Sequence, residues 1–328
     1  MRRVWEWGSM GVWEWESVGE FTPIPHTPIP LKYMDFFLQL VVNGLVVGSI
    51  YALVALGFVL IYKASGILNL AQGEFLMVGA YIFFAIIDQF HVPLLPAFFL
   101  TLVFSFILGI LIERLVLRPL IGEPIISVIM VTLGLASVLR ALVQAFYGTD
   151  TRPFPEFFPS KPVNLLGIPI ATSYIGSFIC VSLLLILFSL FFRYTITGIA
   201  MRATASDQQA AMSMGISIKR IFAISWSIAA VVSAIGGILL GNIRGGIDGS
   251  LVFLGLKVIP VVILGGLDSI LGAIVGGLLI GVLENLAGGY LDPVFGGGVK
   301  EVAPFVILVL ILMIKPYGLF GTEEIERV

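Results

Sequence analysis

The sequence predicts an all-α, polytopic integral membrane protein with eight or nine transmembrane helices, some of them short or broken. Three observations predict it. Of the 328 residues 59% are hydrophobic and 12% charged, where a soluble domain carries about 25% charge, and the mean hydropathy is +1.08. Residues 40–62 form a run of 23 positions without a charge, ended by Lys63, and about 20 apolar residues span a bilayer. The alternation that marks a membrane barrel is absent, so the backbone must satisfy itself within helices.

Taken in order, runs long enough to span fall at 37–62, 74–90, 94–117, 124–147, 172–192 and 221–241. Three more follow at 251–267, 269–287 and 302–315; the first and last are short, and 251–287 is open to being one bent element. Residues 34–328 therefore form one transmembrane domain. The first 33 residues do not match it: Val-Trp-Glu-Trp stands at 4–7 and 12–15, Thr-Pro-Ile-Pro at 22–25 and 27–30, and four of five tryptophans fall within the first 15 positions. With no continuous apolar core this stretch is no signal peptide, and it is expected to be a disordered tail or a mis-annotated extension. Loop 193–220 carries Arg193, Arg202, Lys219 and Arg220 against Asp207. Basic loops stay in the cytoplasm, which predicts an external N-terminus and a cytoplasmic C-terminus, with 113–123 on the cytoplasmic side and 148–171 outside.

Several function classes are excluded. A net charge of −2 without a basic tract argues against nucleic acid. No Gly-x-x-x-x-Gly-Lys-[Ser/Thr] phosphate loop and no His-Glu-x-x-His occur, so the chain offers neither nucleotide hydrolysis nor a zinc protease site. His26 and His91 stand alone, Cys180 has no second cysteine, and neither a catalytic residue, a metal nor a cofactor is expected.

What remains is polar groups in apolar surroundings, which are expensive in a membrane and by default functional. Asn43, Asn69, Gln72, Glu74, Glu284 and Asn285 lie within or beside the spans and are the candidates for a translocation pathway. The stretch 69–74 packs three of them and a glycine into six residues; it reads either as a helix end or as the lining of a cavity between broken helices. Arg140 and Gln144, one turn apart, are expected at an outer helix end, with Arg140 snorkelling, and Glu284-Asn285 reads equally as an interfacial end. Gly44/Gly48, Gly237/Gly241, Gly272/Gly276 and Gly277/Gly281 are small-xxx-small pairs that let helices approach. The doublets Gly236-Gly237 and Gly265-Gly266 are expected to mark helix breaks. In the basic loop, Ser206 or Asp207 can cap a short helix with Ala210, Ala211 and Met214 on one face and Gly215 at its end; such a face suits a groove on a partner protein.

The runs Asn-Gly-Leu-Val-Val-Gly-Ser-Ile-Tyr-Ala-Leu-Val-Ala-Leu-Gly (43–57) and Asn-Leu-Ala-Gln-Gly-Glu-Phe (69–75) resemble the first half of LivH-type permeases of branched-chain amino acid ABC importers. Gly-Ile-Ala-Met-Arg-Ala (198–203) with Gly215-Ile216 resembles their coupling loop, and 264–277 their glycine-rich C-terminal segment. The resemblance implies an inner-membrane import subunit that pairs with a second, LivM-type permease and is served by an extracytoplasmic binding protein and two cytoplasmic ATPase subunits. It also implies that Arg202, Asp207, Ala210, Ala211, Met214 and Gly215 belong to the ATPase-coupling loop. Gln72 departs from the family, which often carries His there, and residues 1–33 have no counterpart. Urea, amides or other amino acids are alternative cargoes. A self-contained ion-coupled carrier or channel is the alternative class, with Glu74, Glu284 and Asp268 as its few buried acids.

Overall fold

The computed structural model describes residues 6–7, 13–14, 29–159, 161–165 and 168–321, with side chains from 34 onward except at 165 and 168. Eleven helices account for most of these residues, as lipid demands of a backbone that has no water to bond. Within the N-terminal stretch, β1 (Glu6–Trp7) pairs antiparallel with β2 (Trp13–Glu14) and residues 29–33 already belong to the first helix; the expectation for the rest of 1–33 lies outside the described residues.

The spanning elements are α1 (Ile29–Ser65), α2 (Gln72–Asp88), α3 (Leu94–Ile112), α4 (Ile125–Tyr147) and α5 (Thr172–Tyr194). Two short helices follow, α6 (Ile196–Ser206) and α7 (Gln208–Ser213), and then α8 (Ile218–Arg244), α9 (Leu251–Gly265), α10 (Ile270–Phe295) and α11 (Val299–Leu312). Six are long and apolar enough to cross a membrane outright, namely α1, α3, α4, α5, α8 and α10. The other three of the nine anticipated segments, α2, α9 and α11, have 17, 15 and 14 residues. The segment 251–287 is two helices, parted where Gly266 takes φ +106. Gly236-Gly237, by contrast, breaks nothing: both lie inside α8, Gly236 against Val54 and Gly237 against the Leu76 carbonyl. The doublet serves close packing there.

The core is α1 and α8, surrounded by α2, α9 and α10. In α1, 89% of the most apolar window is buried within the protein; in α4 the figure is 22%, so α4, like α3 and α5, gives most of its surface to its surroundings. Antiparallel α1 and α10 meet through glycine. A Cβ at Gly44 would lie 2.6 Å from the Val282 Cα, at Gly48 2.6 Å from the Gly277 carbonyl, and at Gly277 2.6 Å from the Ala52 nitrogen, while Gly281 abuts Gly48. Gly272 touches Gly265 and Gly276 the Val261 carbonyl, which closes α10 on α9; Gly241 instead accommodates Phe154 and Ile247. Backbones this close gain dispersion along their length, the main attraction left where solvent and side chains are equally apolar.

At one end of the bundle a cavity brings together Ser65, Glu113, Gly122 and Gln208, so the loops after α1, α3 and α5 share a side, as charge had suggested for 113–123 and 193–220. The segment 148–171 lies at the other end. There β3 (Arg152–Pro153) pairs with β6 (Gly246–Ile247), and β4 (Pro162–Leu165) with β5 (Ile168–Ala171).

Candidate functional site

The stretch 66–74 re-enters the bundle. After α1 ends, Gly66 (φ +70) reverses the chain and residues 66–71 run without helix. Helix α2 then starts beside Val54 and Gly57, about two to three turns before the end of α1, since the Gln72 Nε2 lies against Gly57 and donates to the Val54 carbonyl at 3.5 Å. The same amide donates to Ser233 Oγ at 2.7 Å, and Gln72 Oε1 accepts from Asn69 Nδ2 at 2.9 Å. Asn69 Oδ1 in turn accepts from the Ala71 N–H at 3.0 Å. Asn69 and Gln72 are each 1% exposed. Their polar atoms therefore fasten α1, α2 and α8 around a helix start in the protein interior, where an unbonded amide would be costly.

Glu74 is buried in the first turn of α2, where a carboxylate is favoured by the helix dipole, and Arg140 Nη2 donates to its Oε1 at 2.6 Å. Helix α4 packs on α2 here, so the guanidinium expected to snorkel reaches the buried acid of the neighbouring helix. One turn further out a cavity of about 300 Å³ opens between the helices, lined by Met77, Tyr81, Val143, Gln144 and the turn Asp248–Ser250. Asp248 accepts from the Ser250 N–H at 2.8 Å and from Thr151 Oγ1 at 3.1 Å. Its carboxyl is held below the usual range, first by hydrogen bonding from Ser250, with Thr151 and nearby Arg244 adding to the effect against a smaller opposing cost of burial.

Glu284 and Asn285 are not at a helix end, since α10 continues to Phe295. Asn285 donates back to the Gly281 carbonyl at 2.9 Å. Glu284 Oε1 receives Lys257 Nζ at 2.8 Å, and the same ammonium meets Glu301 Oε2 at 2.8 Å. Sequence reasoning missed Lys257, although a lone lysine in the apolar run 251–267 was the available signal. Asn43 is half-buried on α1 and makes no side-chain hydrogen bond among the described residues. The pathway candidates therefore divide: Asn69, Gln72 and Glu74 come together, Glu284 and Asn285 lie with Lys257, and Asn43 stands apart.

In the basic loop, Asp207 caps α7, its Oδ1 accepting from the Gln209 and Ala210 N–H groups at 2.8 and 2.9 Å, and Gly215 (φ +84) follows its end. Ala211 faces inward at 3% exposed. Met212 and Met214 face outward with Ala210, so the exposed face runs through Met212, a residue absent from the sequence expectation. Arg202 turns back to donate to the Phe192 and Arg193 carbonyls at the end of α5, binding α6 to that helix.

A glycine-welded helical bundle with six helices long and apolar enough to cross a membrane, an internal helix start and buried ion pairs is that of a multi-pass membrane protein. The chain belongs to the family described as "Branched-chain amino acid transport system / permease component", whose profile matches residues 40–314. It is similar to the high-affinity branched-chain amino acid transport system permease protein LivH of Salmonella typhimurium, 32% identical over 89% of this chain and 98% of that one. BraD of Pseudomonas aeruginosa, a permease protein of the same description, is 33% identical over 89% and 98%. The probable LivH of Methanocaldococcus jannaschii is 27% identical over 90% and 96%. Among solved structures, PsaBC from Streptococcus pneumoniae in complex with Fab aligns at a TM-score of 0.49 and 16% identity, over 88% of this chain and 97% of that one.

Proposed function

We propose that this permease carries branched-chain amino acids as one of two paired permeases in an ABC importer, fed by an extracytoplasmic binding protein and driven by two cytoplasmic ATPase subunits. The names of its relatives supply the cargo. The observation that carries the coupling is α7, a capped helix held on the bundle with two methionines outward, Met212 at 53% and Met214 at 83% exposed. Flexible apolar side chains of this kind seat well in a protein groove. The bond from Gln208 Nε2 to the Ala64 carbonyl (3.3 Å) ties α7 to α1, and Arg202 holds the preceding α6 on α5, so a push on α7 reaches α1, one of the helices that enclose 69–74. Transport follows when the ATPase dimer favours one arrangement of those helices over the other.

The test is M212E/M214E in the assembled transporter. The double variant is expected to insert normally, to co-purify with fewer ATPase subunits and to lose L-leucine uptake; full ATPase recovery with normal uptake would refute the docking assignment.

A further inference from the structure

We propose that the groove between α2 and α4 is a station for a zwitterionic aliphatic amino acid, with Arg140 receiving its carboxylate; this rests on the cargo class proposed above. Two ion pairs behave differently, one just past the end of α3 and one between α2 and α4. Arg118 grips Glu113 with both arms, Nε to Oε1 at 3.2 Å and Nη2 to Oε2 at 2.8 Å. Arg140 touches Glu74 through Nη2 alone, and its other donors make no hydrogen bond among the described residues. Its side chain is 44% exposed while that of Glu74 is 2%. One half of this pair is therefore fixed, and the other is free to turn.

The surroundings say toward what. Glu74, Met77 and Tyr81 recur along one face of α2, and Arg140, Val143 and Gln144 along one face of α4, so the ion pair lies about one turn from the α2 and α4 residues that line the 300 Å³ cavity, whose far wall is the turn Asp248–Ser250; the volume is at the small end for small-molecule sites. Neither the Gln144 amide nor the Tyr81 hydroxyl has a hydrogen-bond partner among the described residues. Met77 and Val143 supply apolar wall for an aliphatic side chain. A zwitterion inserted between Glu74 and Arg140 gives each a new partner, carboxylate on guanidinium and ammonium on carboxylate, and adds no net charge beside them. A purely cationic or anionic guest would strand a charge away from water, which is costly.

The experiment uses the complete transporter in proteoliposomes with its binding protein, and reads L-leucine uptake per recovered complex. R140Q is expected to lower uptake about tenfold or more, the usual scale for removing one partner of a desolvated charge pair. The exchange E74R/R140E rebuilds the pair in reverse and is expected to restore assembly but not uptake. Uptake regained by the exchange, or retained in R140Q, overturns the station and leaves the pair as a fastening of α2 to α4. Should the exchange fail to assemble, Q144C in a C180S background decides: L-leucine with binding protein and ATP slows its labelling by a charged methanethiosulfonate, and an unchanged labelling rate overturns the proposal. Wild-type liposomes that take up no L-leucine would instead overturn the cargo assignment itself.

Discussion

Replacing Lys257 with methionine removes the ammonium that holds α9 to α10 and α11. Glu284 is 1% exposed, and Lys257 is its one ion-pair partner among the described residues, with the Tyr51 side chain as its other polar neighbour. Stripping one partner from a buried pair costs about 3–5 kcal/mol, because the remaining charge is left uncompensated. At roughly 2–4 °C per kcal/mol, purified K257M should melt about 6 °C or more below the parent. E301Q removes the other arm of the same lysine, yet Glu301 has 64% of its side chain exposed, and loss of such a contact costs about 1 kcal/mol or less. K257M/E284L replaces both buried charges with apolar groups and should recover most of the loss. The assay is gel filtration of heated aliquots in one detergent, with the monodisperse fraction plotted against temperature. The reasoning fails if K257M is no worse than E301Q, or if the double variant is as unstable as K257M.

Further outcomes follow from the same contacts. Gly281→Leu forces a side chain into the Gly48 backbone and should abolish recovery of folded protein, whereas Gly134→Ala, with nothing within 4 Å of a Cβ, should be neutral or stabilise by about 0.5–1 kcal/mol; both are read by the same heating series. Gln72→Ala leaves Ser233 and Asn69 without their partner and should lower stability by about 1–2 kcal/mol, with Q72A/S233A losing less than the sum of the singles. The depressed carboxyl of Asp248 contributes stability that is present above its ordinary value of about 4 and is lost as pH falls through the lower folded value. Wild type should therefore keep a constant advantage over D248N from pH 5 to 8 and lose it in stronger acid, measured as melting temperature against pH.

Lipid as solvent left one solution for a chain so poor in charge, and the position of each helix could be read from the length of its apolar run. The capped helix α7 was legible too, because Asp207 and Gly215 are local signals whose partners lie within a few residues. Gly236-Gly237 and Gly265-Gly266 show where reading stopped: identical doublets, one packed inside an unbroken helix and the other ending one. Which of the two happens depends on whether a neighbour such as the Leu76 carbonyl occupies the space that glycine leaves.

The ion pairs were hidden for the same reason. Glu74 lies 66 positions from Arg140 and Lys257 lies 27 from Glu284, so no spacing rule joins them. The sequence by itself determined the class, the helical segments and the capped loop, because hydropathy and capping act over a few residues. The tertiary structure alone decided that α2 begins inside the bundle, which acid meets which base, and that Arg140 is half free. Those outcomes depend on how helices distant in the chain come to share a face, and on the gain each buried charge makes by finding its opposite there.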